Sequence, residues 1–234
     1  MKFWEWPIDE VAAPSGALPK FMLTRKAFDA GGALDVATSL ILPSGDVASP
    51  MEQVTALSGG LAGPDDCLGL WLGRHYPPSP DVLAALGASS LGWVTNFPCA
   101  SAFGDAFGDQ LSEVGTGRAQ EVAALSACRA QGKRVMLSTT PGPGALPDLA
   151  LDAVLLVIRS AEDLKSVAEG FLEQLRNAYG PNMPILVHGG PDGHLPRAPQ
   201  EQGIAAIMHL PSSGSSSSPS SSHGVSYGYR ASSG

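Results

Sequence analysis

The stretch from 151 to 210 constrains the fold more than any other part of the chain. Ala153 to Ile158 (Ala-Val-Leu-Leu-Val-Ile) is an unbroken apolar run, the pattern of a strand covered on both faces. Ser160, with Asp163 three residues on, makes an N-terminal cap pattern close to a capping box. Leu164, Val167, Ala168, Phe171, Leu172, Leu175 and Ala178 then recur at i+3 and i+4 spacing, one apolar stripe along a helix. Gly180 stands where a left-handed C-terminal residue is wanted, and Pro181 follows it. Pro184 to Val187 reads as the next strand, and Ile204 to Leu210 as another.

The same rhythm reaches back to Cys67. Leu68–Leu72, Leu91–Phe97 and Arg134–Thr140 read as strands. Ser79 caps a helix that has Pro80 at its first position and Gly87 near its end, and a second helix runs from about 118 to 131. Strands alternating with amphipathic helices imply right-handed crossovers and a parallel sheet. The expected fold is therefore α/β, with a mainly parallel sheet of about six or seven strands and helices on both faces, Rossmann-like or receiver/NTPase-like. A (β/α)8-type barrel is the alternative, since eight strands need contributions from the weak N-terminal region.

That region divides the chain. Residues 1–60 read as a poorly defined segment packing on the domain, 61–210 as the α/β domain, and 211–234 as a disordered tail rich in serine and glycine. Within 1–60, a short helix is expected between Pro19 and Ala30, a strand at Ala37–Leu42, and a helix at Met51–Leu57 capped by Ser49. The aromatic cluster Phe3, Trp4, Trp6 either staples the N-terminus to the core or docks a partner.

Composition narrows the function classes. At 234 residues and 44% hydrophobic, the chain can build a sizeable core. A formal net charge of −8 gives no electrostatic support to nucleic-acid or anionic-membrane binding. Cys67, Cys99 and Cys128 are odd in number and widely spaced, which points to buried thiols rather than a disulfide framework or a zinc site. The first ten residues have neither a signal-peptide pattern nor a membrane-spanning run, so a cytoplasmic location is the default.

The strong catalytic motifs fail. There is no G-x-x-x-x-G-K-[ST], no G-x-S-x-G, no H-E-x-x-H and no C-x-x-C. No cofactor or metal is expected. Gly115-Thr116-Gly117 precedes a helix whose bare amides suit an anion, but the full dinucleotide pattern is missing. The most chemically suggestive loop is His188-Gly189-Gly190-Pro191-Asp192-Gly193-His194, with Arg197 just beyond and His209 at a later strand end. Ligands of parallel sheets sit outside the carboxyl ends of the strands. Arg74, Thr139, Arg159 and His188 each follow or end a strand and would share that edge as an anion-binding rim. Helix capping by Ser160 and solvated arginines are the bland alternative.

The order of residues at 153–187 resembles the degenerate receiver-like domain of cyclic-di-GMP-binding regulators of bacterial cellulose secretion. Ala153-Val154-Leu155, Leu175-Arg176, Gly180, Met183 and Ile185-Leu186-Val187 carry the likeness, which extends through Leu195–Arg197 to Ile204. The family's Arg-x-Gly-Asp nucleotide motif lies on a further domain and does not occur here, and the receiver's phosphoacceptor arrangement is missing. The resemblance thus implies a scaffold without receiver or NTPase chemistry, and no binding residues carry over.

Two functions are expected from these readings. The first is a non-catalytic regulatory or scaffold module working through a protein partner in a bacterial cytoplasmic assembly, linked to cellulose biosynthesis. The second is an enzyme or binding protein for a small anionic ligand, phosphorylated or carboxylated, at the strand ends.

Overall fold

A computed structural model of the chain describes residues 3–11, 16–25, 54, 62–70, 78–103, 105–115, 117–142, 146–189, 195–196 and 199–209. Their strands close into one barrel, in sequence order around the ring. The first four are β1 (Phe3–Glu10), β2 (Phe21–Arg25), β3 (Asp66–Gly69) and β4 (Trp93–Thr95). They are followed by β5 (Arg134–Thr139), β6 (Ala153–Val157), β7 (Ile185–His188) and β8 (Ala206–Met208). Neighbours from β2 to β8 are parallel. β1 runs against both β2 and β8 and seals the ring.

This corrects the expected open sheet of six or seven strands with helices on both faces. The architecture is the barrel that was the alternative. β1 and β2 make the difference, because an open sheet would leave unpaired edges at β2 and β8 and β1 covers both. Pro7 lacks an amide donor, which restricts where in a strand it can stand. It sits where β1 changes partner, from β2 over residues 3–7 to β8 over 8–10, and its carbonyl accepts from the His209 amide at 2.9 Å. Residues 21–25 form β2, where a helix had been expected between Pro19 and Ala30. The strand expected at Ala37–Leu42, nearly all of the helix at Met51–Leu57, and the 211–234 tail lie outside the described residues.

Strand alternation sorts side chains between the barrel interior and its jacket. Trp6, Met22, Cys67, Trp93, Met136, Leu155, Leu186 and Met208 form one interior cluster. Outward Val154, Leu156, Ile185 and Val187 pack against Val167, Phe171, Leu172 and Leu175. The unbroken apolar run of β6 is thus covered on both faces, by the filled interior on one side and by helix on the other. The three cysteines are free and buried. Gly69 allows a close crossing: a Cβ there would lie 2.8 Å from the Phe97 carbonyl oxygen and 2.8 Å from the Thr24 methyl.

Helices follow β3, β4 and β6. They are α1 (Pro80–Ala88), α2 (Asp105–Glu113), α3 (Arg118–Ala130), α4 (Ala161–Ser166) and α5 (Leu172–Tyr179). A 3-10 turn (Ala100–Phe103) precedes α2, and a π-turn (Val167–Phe171) joins α4 to α5. Ser79 caps α1 by accepting from the Val82 amide at 3.3 Å, as its position suggested. None of the described helices is long and apolar enough to cross a membrane.

Candidate functional site

The carboxyl ends of β4, β5 and β6 open on one side of the barrel mouth. Beyond β4 the backbone ladder stops, and the Asn96 side chain takes over its role. Its amide donates to the Ser138 carbonyl at 3.0 Å and its oxygen accepts from the Ser138 amide at 2.7 Å. The same Asn96 amide donates to Glu121 Oε2 at 2.9 Å, and the Ala100 amide donates to Oε1 at 2.7 Å. Glu121 reaches this point from the first turn of α3 and is only 3% exposed. Burial pushes its carboxyl up to about 8, although the two donors and the Arg118 charge pull the other way.

Above this layer lies a cavity of about 580 Å³, within the range of small-molecule sites. Its wall combines the 3-10 turn after β4 (Ala100, Ser101), the facing parts of α2 and α3 (Asp109, Ser112, Arg118), and the end of β5 (Thr139, Thr140). The far wall is Arg159, Asp163 and Ser166 after β6, with Phe171 of the π-turn and Leu146. Several of its hydroxyls are loosely held. Thr139 Oγ1 donates to the Thr140 carbonyl at 3.4 Å, Thr140 Oγ1 to the Ser101 carbonyl at 3.4 Å, and Ser101 Oγ accepts from the Thr140 amide at 3.3 Å. Contacts of that length are weak and exchange readily for a ligand.

The charges in this wall differ in what they are free to do. Arg159 is already engaged: its Nε and Nη2 donate to the two oxygens of Asp163 at 3.1 and 3.2 Å, and Nη1 donates to the Ser101 carbonyl at 3.1 Å. Asp163 also accepts from the Arg159 amide at 2.7 Å, while its own amide is capped by Ser160 Oγ at 3.3 Å. The expected cap therefore forms, and its acid reaches back one residue further than a capping box would. Asp109 and Glu162 are exposed, and Glu162 lies 3.7 Å from Lys165, so both are screened by solvent. Arg118 is half-buried, and its charge acts on both Glu121 and Tyr179.

Of the expected rim, the structure brings Thr139 and Arg159 to one cavity. Arg74 lies outside the described residues, as do Asp192, His194 and Arg197. His188 is not among the cavity's lining residues. It points into the barrel, 1% exposed, edge-on to Trp6 (centroids 5.3 Å apart, planes at 86°) and Phe97 (6.0 Å, 83°). Its Nδ1 lies 3.2 Å from the Met208 carbonyl oxygen, so that nitrogen carries the proton of the neutral ring, and Nε2 has no partner. Burial lowers its pKa to about 4. His209 sits on the outside, 3.2 Å from Asp9.

Sequence reasoning missed Arg118, Ser101, Asn96 and Glu121. The one signal for them was the Gly115-Thr116-Gly117 turn: Gly117 is the N-cap of α3, without a side-chain cap bond, and Arg118 follows. No protein-family model matches the chain, and no curated protein matches it.

Proposed function

We propose that the chain binds, and as an enzyme would act on, a small metabolite bearing one phosphate or carboxylate group at the mouth of its barrel. The observation that carries this reading is the half-buried Arg118 in a cavity of about 580 Å³ whose other cation, Arg159, is already neutralised by Asp163. Barrel enzymes place their chemistry at the carboxyl ends of the strands, and this cavity lies there. The anionic group sits on Arg118, and the Ser101, Thr139 and Thr140 hydroxyls face the rest of the ligand.

Calorimetry against inorganic phosphate, glycerol phosphate and succinate tests the reading. At least one should bind, and Arg118→Ala should weaken it by roughly ten- to a hundredfold, the scale of a charge-assisted hydrogen bond. No binding by the wild type, or equal binding by the variant, sinks it.

A further inference from the structure

The wall of the cavity has a titratable layer directly behind it. Ala100 lines the cavity, and its amide is the donor to Glu121 Oε1 at 2.7 Å. Arg118, also in the wall, stands one turn before Glu121 on α3 and acts on it electrostatically. We propose that the site takes up a proton with its ligand: an anion seated against Arg118 binds together with a solvent proton that lands on the Glu121 carboxyl. This rests on the anion-binding reading above and adds its regulation.

The Asn96 and Ala100 donors and the Arg118 charge all favour the ionised form of Glu121, and of these the Arg118 charge is the one that a bound anion alters. An anion on Arg118 cancels that field and adds a negative charge next to the carboxylate. Protonation then relieves the repulsion. By reciprocity, a protonated Glu121 binds the anion more tightly than an ionised one.

Among the described residues, no other charge is placed to take over the role. The segment after β4 presents the Asn96 amide and the Cys99 thiol, which Glu121 itself helps push up to about 12. From β5, Glu121 meets the Ser138 backbone through Asn96, and Arg134 stacks instead over Trp93, 4.7 Å from the ring centroid. Asp81 of α1 and Asp109 and Glu113 of α2 are exposed.

Sulfate is the probe, because its charge is constant across the relevant range. Its binding is measured by calorimetry at pH 6.5 and pH 9, and at pH 8.5 in two buffers of different ionisation enthalpy, with wild type and Glu121→Gln. Wild-type affinity should fall roughly fivefold or more from pH 6.5 to pH 9, the usual lower scale of site coupling. Proton uptake should be measurable at pH 8.5, and the variant should change by less than about twofold. An equally steep fall in the variant overturns the proposal. If the variant does not fold, zero proton uptake by the wild type overturns it. Sulfate binding at no pH would instead refute the anion site itself, and this inference with it.

Discussion

Glu121 and His188 are buried titratable groups whose shifts act in opposite directions on stability. The folded pKa of Glu121, about 8, is above its ordinary 4.5, so the stability it contributes is complete below pH 4.5 and is lost as pH rises through 8. The folded pKa of His188, about 4, is below its ordinary 6.5, so its contribution is complete above pH 6.5 and is lost as pH falls through 4. Between 4.5 and 6.5 the two slopes oppose each other and leave a plateau. Denaturant unfolding should therefore show wild type losing roughly 1.5 kcal/mol relative to Glu121→Gln between pH 6.5 and 8, from the linkage slope of one proton. A difference between the two proteins that stays constant with pH would contradict the burial of a protonated Glu121. His188 also shows what a strand-end position leaves open. It follows Leu186 on the inward face of β7, and in a closed barrel that face is the sealed interior, whereas an open sheet offers its end to solvent.

Among the elements, the unit from β6 to β7 could be read from the sequence almost residue by residue, because burial, cap and helix period agree there. The apolar stripe nevertheless described one continuous helix, and the structure has two joined by a π-turn. Gly170 accounts for the break: its φ of +113° inside the helix is a conformation that side chains with a Cβ rarely adopt. The turn places Ser166 and Phe171 together in the cavity wall, and π-turns of this kind gather at functional sites. Gly170→Ala should cost roughly 1–3 kcal/mol in urea unfolding. An unchanged or raised stability would mean that the helix is continuous in solution. β1 and β2 could not be read because their signal was mixed. Pro7, which has no amide donor, falls in the middle of β1, and Phe21 and Met22 fit a helical face as well as a strand in which Met22 and Thr24 point inward.

At the scale of the whole molecule, barrel closure decides where a ligand can bind. Among the described residues the interior is filled by buried side chains, with Trp6 donating to Thr24 Oγ1 at 2.9 Å and packing edge-on against Phe97 at 5.2 Å. At the carboxyl ends of β4, β5 and β6 several of the described elements converge on one cavity. Thr139 and Arg159 were accessible to sequence reasoning because strand ends of a parallel sheet share an edge. Arg118 was signalled only by the Gly115-Thr116-Gly117 pattern before its helix, because its place in the cavity wall depends on how α2 packs against α3. The central claim is that this mouth holds a small anion against Arg118. Amide chemical-shift mapping by NMR during a sulfate titration tests it most directly. The account expects the shifts to cluster at Ser101, Arg118, Thr140 and Arg159 and to vanish in Arg118→Ala. Shifts scattered over the surface, or clustered at the opposite end of the barrel, would contradict it.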